Sequence, residues 1–139
     1  MERFVIEGGE ALNGVVTPSG SKNEALPVLA ATLLTAEPVT LKNLPSIVDV
    51  RVMLQVLESL GCTVEELGPG EVRITAESIV GSGELPVELC RRIRASILFA
   101  GPVLARNGKV ALPPPGGDVI GRRRVDTHFV GLTALGARL

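Results

Sequence analysis

The 139-residue sequence predicts an α/β (α+β) fold assembled from a repeated unit. Three observations predict it. Apolar stretches of helical length alternate with short strand-like stretches, the same order of elements returns after 70 to 75 residues, and the first copy ends in the signature of a β-hairpin.

The segment Phe4-Val-Ile-Glu-Gly-Gly and the segment from Gly14 to Gly20 read as two short strands broken by glycine turns. From Ala25 to Leu34 the chain is apolar nearly all round, which predicts a buried helix with Pro27 close to its first turn. Val39 to Leu44 alternates as a strand. A second helix is expected from about Asp49, with Val50, Met53, Leu54, Leu57 and Leu60 on one face and Gly61 placed to end it. Thr63–Leu67 and Glu71–Thr75, joined by Gly68-Pro-Gly, complete the unit as a hairpin.

The unit then recurs. A shift of 70 carries Ala25, Ala30 and Leu34 onto Ala95, Ala100 and Leu104, and a shift of 71 carries Val39 and Leu41 onto Val110 and Leu112. A shift of 75 carries Val50, Leu54, Leu57, Leu60 and Gly61 onto Val125, Phe129, Leu132, Leu135 and Gly136. The drift places extra residues between Leu112 and Arg124, in a loop that prolines 113 to 115 stiffen and glycines 116, 117 and 121 allow to bend. A loop grafted on one copy of a repeat is a functional candidate, since loops on rigid scaffolds carry much binding and catalysis. The second copy reaches Arg138-Leu139 where the first begins its hairpin, so the sequence reads as a fragment whose unfinished unit leaves apolar surface exposed.

Composition narrows the function classes. No apolar run approaches the roughly 18 residues of a bilayer span, and no basic stretch leads an apolar one at the start, which argues against a transmembrane segment or a secretory leader. Cys62 and Cys90 lack C-x-x-C spacing, and one histidine cannot complete a Cys/His zinc site, so a reduced cytoplasmic protein without a metal is expected. With no Trp, no Tyr and three Phe, the aromatic platforms that stack single-stranded nucleic acid are missing.

The net charge of −1 conceals an asymmetry: residues 1–90 hold 13 acids and 5 bases, residues 91–139 hold 2 acids and 9 bases. Six of the eleven arginines form the clusters Arg91-Arg92-x-Arg94 and Arg122-Arg123-Arg124. Guanidinium forks suit bidentate recognition of phosphate or carboxylate; the same clusters could equally pair with the acidic half as a solvated face. Ser19-Gly-Ser-Lys-Asn leads into the first helix and offers backbone N–H groups, hydroxyls and the Lys22 ammonium to an anion, or is an ordinary helix start. Asp118 sits among arginines that favour its ionised form, so a general-acid role needs an anionic substrate held against it. His128 matches Met53 in the first copy and reads either as a core-edge residue or as a ligand contact one turn beyond Arg124. Cys62 and Cys90 read as small apolar fillers.

Ser19-Gly-Ser-Lys-Asn-Glu-Ala-Leu-Pro, Arg94-Ala-Ser, Pro115-Gly-Gly-Asp-Val-Ile-Gly-Arg-Arg-Arg-Val-Asp-x-His and the closing Gly-Leu-x-x-Leu-Gly-Ala resemble the N-terminal third of the UDP-N-acetylglucosamine 1-carboxyvinyltransferases, of the enolpyruvyl transferase family. The shikimate-pathway enolpyruvyl transferases share the Gly-Ser-Lys start but not the Pro-Gly-Gly-Asp loop. The resemblance implies repeated βαβαββ units of the inside-out α/β barrel type, incomplete in this chain. It implies that residues 1–21 belong to the other, C-terminal domain of the full enzyme, that 22–88 form one unit, and that 89–139 form a second, truncated unit carrying the active-site loop 113–124. The implied reaction transfers the enolpyruvyl group of phosphoenolpyruvate to the 3-hydroxyl of UDP-N-acetylglucosamine with release of phosphate, the first committed step of peptidoglycan synthesis, in the cytoplasm, with no metal or organic cofactor.

By the same resemblance Lys22, Asn23 and Arg123 would bind phosphoenolpyruvate. Asn23, Arg94, Arg123, Arg124, Val125, Asp126, Thr127 and His128 would contact the UDP-sugar. Asp118 stands where the family's loop usually has a cysteine proposed as proton donor, which implies resistance to the epoxide fosfomycin because a carboxylate is the poorer nucleophile. Arg124 stands where the family commonly has proline. The rest of the enzyme would be needed to complete the site, and the chain alone is expected to be inactive. The alternative from another class is a non-catalytic module in which the arginines bind nucleotides or other anions.

Overall fold

The computed structural model describes residues 3–9, 11–117, 121 and 124–139. Helix α1 spans Lys22–Ala31 and runs on through a 3-10 turn, Thr32–Leu34. Strand β1 (Val39–Leu41), helix α2 (Val48–Ser59) and the strands β2 (Thr63–Gly68) and β3 (Glu71–Thr75) follow. Then come the one-turn helix α3 (Val87–Cys90), a 3-10 helix over Arg94–Phe99 continuing into α4 (Ala100–Asn107), and α5 (Asp126–Ala134).

The three strands form one antiparallel sheet in the order β1-β3-β2, with Val39 opposite Ile74 and Val64 opposite the same residue on the other side. In the central strand Val72 and Ile74 turn inward and Arg73 outward, the alternation that a sheet covered on one face requires. Against that face lie Leu29 and Leu33 from the first helical stretch, Met53, Val56 and Leu57 from α2, and Phe99 and Val103 from the second helical stretch. The core therefore joins both copies of the repeat. Burying each such side chain stabilises the fold by about 1.5–3 kcal/mol.

The α2 face develops as its spacing predicts, with Val50, Met53, Leu57 and Leu60 buried, and Val52 and Val56 widen it. Gly61 at φ +93° ends the helix: its N–H reaches the Glu58 carbonyl at 2.9 Å and the Cys62 N–H reaches Leu57 at 3.0 Å, a Schellman closure. Seventy-five residues on, the same closure recurs: Gly136 is at φ +99°, its N–H on Thr133 at 2.9 Å and the Ala137 N–H on Leu132 at 3.0 Å. The helix closure is thus reproduced bond for bond in the second copy.

Four expectations need correction. The segments 4–9 and 14–20 form no strand; Phe4 is 96% exposed, because a strand needs a partner and among the described residues none lies beside these segments. Helix α1 begins at Lys22, three residues early, so Pro27 sits inside it and gives no N–H to the Asn23 carbonyl. That helix also buries one face only, through Ala25, Leu26, Leu29 and Ala30, while Val28 and Leu34 are exposed. Residues 110–112 make a single parallel bridge, Glu84 with Ala111, instead of a strand. None of the α5 residues is buried and Leu135 is 87% exposed, since no described hairpin covers this helix as β2 and β3 cover α2.

Candidate functional site

Two places gather the residues singled out by the sequence. At the first, Lys22 opens α1 and its Nζ lies 2.7 Å from Oδ1 of Asp49, in the first turn of α2. Asn23 follows on the exposed side. The start of α1 is held by backbone contact: a Cβ on Gly20 would stand 1.8 Å from the carbonyl oxygen of Asn43, so only glycine lets the chain lie there. Asn43 itself is at φ +58°, a left-handed conformation that asparagine tolerates better than most residues.

The second place is where the arginine clusters meet. Arg94 donates from Nη2 to the Arg124 carbonyl at 3.2 Å across thirty residues of sequence. Arg124 in turn pairs with Oδ2 of Asp126, the first residue of α5, whose other carboxylate oxygen is buried with no hydrogen-bond partner among the described residues. The start of the inserted loop is pressed onto the same backbone. Gly116 donates its N–H to the Cys90 carbonyl at 3.0 Å, and a Cβ there would lie 1.6 Å from the Arg91 carbonyl oxygen. Gly117, at φ +91°, would bring a Cβ to 3.0 Å from the Arg94 amide nitrogen.

Val125 is half-buried at the helix entry and accepts the His128 N–H at 3.0 Å, while Thr127 and the His128 side chain are exposed. Asp118 and Arg123 lie outside the described residues. Of the acids, Glu88 faces Arg91 at 3.7 Å and Asp126 faces Arg124; among the described residues Arg92 and Arg94 have no carboxylate partner, which leaves the patch positive. Arg91 pairs with Glu88 of the acidic half, and Arg91, Arg92 and Arg124 are solvent-exposed, so these contacts leave the solvated-face and anion-binding readings both open.

The cysteines behave as fillers. Both are buried, and burial pushes the Cys62 thiol up to about 11 against a smaller opposing pull from the Arg106 guanidinium. Burial also raises the Cys90 thiol, against the hydrogen bond from Ser96. Neither is a reactive thiolate at neutral pH. Sequence reasoning missed Asp49 as a partner of Lys22, noting it only as a helix start; the signal was an acid in the first turn of a helix, which has many other uses.

Known proteins resemble this chain over its whole length. The chain is 55% identical over all 139 residues to a UDP-N-acetylglucosamine 1-carboxyvinyltransferase of Treponema denticola, and 53% identical over 137 residues to one of Bradyrhizobium diazoefficiens. It spans 32% of the length of each. Among solved structures, the enolpyruvyl transferase NikO from Streptomyces tendae matches 73% of this chain with a TM-score of 0.63 and 28% identity, over 23% of its own length. Among the described residues no helix is long and apolar enough to cross a membrane. The family model of EPSP synthase (3-phosphoshikimate 1-carboxyvinyltransferase) matches residues 6–139, so that fold, motifs and relatives converge and the chain belongs to this enolpyruvyl transferase family.

Proposed function

We propose that the protein transfers the enolpyruvyl group of phosphoenolpyruvate to the 3-hydroxyl of UDP-N-acetylglucosamine, with this chain supplying one side of the site. The supporting observation is the meeting of the Arg94 motif, the Pro115-Gly-Gly loop and the Arg124–Asp126 helix start in one positive patch, in a chain 55% identical to an enzyme of that name. The reaction adds the sugar hydroxyl across the enol double bond and then expels inorganic phosphate. In the first step the hydroxyl oxygen bonds to C2 of phosphoenolpyruvate and a proton goes to C3. In the second, the C2–O bond to phosphate breaks and C3 gives up a proton, restoring the double bond.

Each residue has a physical task in this scheme. Lys22 and Asn23, with Arg123, hold phosphoenolpyruvate, and the ammonium offsets the charge of the phosphate and carboxylate as the adduct forms. Arg94, Arg123 and Arg124 grip the anionic groups of the UDP-sugar, and Asn23, Val125, Asp126, Thr127 and His128 complete its contacts near the start of α5. Asp118 delivers the proton to C3. Its arginine neighbours in sequence favour the carboxylate, so it takes up that proton only when an anionic ligand offsets them. The setting is the cytoplasmic stage of peptidoglycan synthesis, and hence cell-wall biogenesis, cell shape and division. Residues 1–21, of which Phe4, Ile6, Leu12 and Val15 are exposed, belong with the remainder of the enzyme in this scheme.

The test is phosphate release from phosphoenolpyruvate that depends on UDP-N-acetylglucosamine, compared between this chain and a polypeptide extended to the length of its relatives. Turnover in the extended protein alone supports the reading. No turnover in either, together with binding of assorted polyanions that weakens uniformly with salt, would replace it with a non-catalytic anion-binding role.

A further inference from the structure

The first helix presents Lys22 on a long flexible stem, yet its ammonium is not left to wander. Its Nζ stands 2.7 Å from Asp49 Oδ1, and the two side chains differ in setting: Lys22 is 52% exposed, Asp49 only 26%. The carboxylate is the fixed member. It occupies the first turn of the twelve-residue helix α2, where the helix dipole favours negative charge, and Val50 beside it is buried in the core.

The backbone leading to each partner is fixed as well. Gly20, two residues before Lys22, lies against the Asn43 carbonyl at a separation that no side chain permits, and Asn43 is on the turn that leads into α2. On its other side this turn is held by Gly70, whose carbonyl accepts the Leu44 N–H at 2.9 Å. The two helix starts are thus clamped together through main-chain contacts, with the ion pair across them. An ammonium has three donors, and an interaction with one carboxylate oxygen leaves two for a ligand.

We infer that Asp49 is a positioning residue, which holds the Lys22 ammonium in the orientation that an anionic substrate meets. The inference rests on the proposed role of Lys22 toward phosphoenolpyruvate. Asp49 does not touch the reacting atoms. It removes the freedom of the lysine head before the substrate arrives, and a misplacement of about 1 Å in such a group can cost on the order of 100-fold in rate.

The experiment is a double-mutant cycle in an enzyme extended to the length of its relatives, following phosphate release. Asp49→Asn is expected to lower kcat by about 10-fold or more while the KM for phosphoenolpyruvate changes by less than about 3-fold, and Asp49→Glu to recover part of the loss. In a Lys22→Gln background Asp49→Asn should cost nothing further, since its effect passes through the lysine. Where steady-state turnover of Lys22→Gln falls below detection, the cycle is read on single-turnover phosphate release with enzyme in excess. Losses that multiply, or an Asp49→Asn enzyme as fast as the wild type, would overturn the positioning role while leaving Lys22 as a substrate contact. A Lys22→Gln enzyme with undiminished activity and binding would remove the reading of Lys22 itself, and this inference with it.

Discussion

Arg106 is the residue whose removal tests the packing account most directly. It lies in the last turn of α4, and its guanidinium donates to three main-chain carbonyls from distant segments: Leu33 at 2.8 Å, Ala76 at 2.9 Å and Glu77 at 3.1 Å. The first closes the 3-10 turn after α1 and the other two follow β3, so one side chain ties the second helical stretch to both ends of the first unit. Hydrogen bonds to a charged donor contribute about 1.5–3 kcal/mol when well shielded. Here two are part-buried and one is exposed, so each is discounted for water. Arg106→Ala is then expected to cost about 2–3 kcal/mol in all, roughly 6–10 °C in melting temperature for a chain of this size. Arg106→Lys keeps the charge but not the fork, and should recover less than half. The assay is urea unfolding followed by circular dichroism. An Arg106→Ala protein within about 0.5 kcal/mol of the wild type, or full recovery by lysine, would show that the three-carbonyl clasp does not bind the copies together.

Three further predictions follow from single features. With the Cys62 thiol pushed from 9.0 to about 11, the unfolded chain loses its proton first, so stability is intact below pH 9 and falls by up to about 1.4 kcal/mol per pH unit as pH rises toward 11. Cys62→Ala should lessen that slope in alkaline unfolding curves, the raised Cys90 thiol supplying the remainder, and an unchanged slope would refute the assignment. Gly116→Ala places a Cβ 1.6 Å from the Arg91 carbonyl oxygen, so it should displace the loop, lower the melting temperature by a few degrees and weaken UDP-N-acetylglucosamine about 10-fold or more in equilibrium binding. Unaltered affinity would mean that the contact between the loop and residues 91–94 is immaterial. An enzyme extended to the length of its relatives should withstand fosfomycin, and Asp118→Cys should make it sensitive; a stoichiometric adduct on Asp118 with loss of activity would reverse that expectation.

Helix α2 and the hairpin were legible because their determinants are local. A stripe of Val50, Met53, Leu57 and Leu60, a glycine at the closure and a Gly-Pro-Gly turn each act over a few residues. The opening segments misled because short apolar runs bounded by glycines show that a segment can be a strand, whereas pairing makes it one; among the described residues Phe4 and Ile6 belong to no strand. The start of α1 was masked by Lys22-Asn23, polar residues that resemble a loop although the helix includes them. At the site, Arg94 and Arg124 could be singled out by clustering, but that one side chain binds the carbonyl of the other depends on thirty intervening residues. Asp49 and Arg106 were passed over because each stands alone in sequence and finds its partners only in the fold.

The two copies of the unit also show how a site can grow from a repeat. Their helix closures are superposable in hydrogen bonding, at Gly61 and Gly136, although α2 is buried and α5 is not. Local sequence therefore sets the backbone in both, and burial is added from outside. The copies diverge in the connection before that helix. In the first it runs over residues 42–47 and is pinned between Gly20 and Gly70. In the second it occupies 113–125, with its start pressed by Gly116 and Gly117 onto residues 91–94. The short connection fixes a helix start against Lys22, and the long one brings arginines from two clusters together. Equivalent points of one unit thus carry a pinned helix start beside Lys22 in the first copy and a meeting of arginines from two clusters in the second.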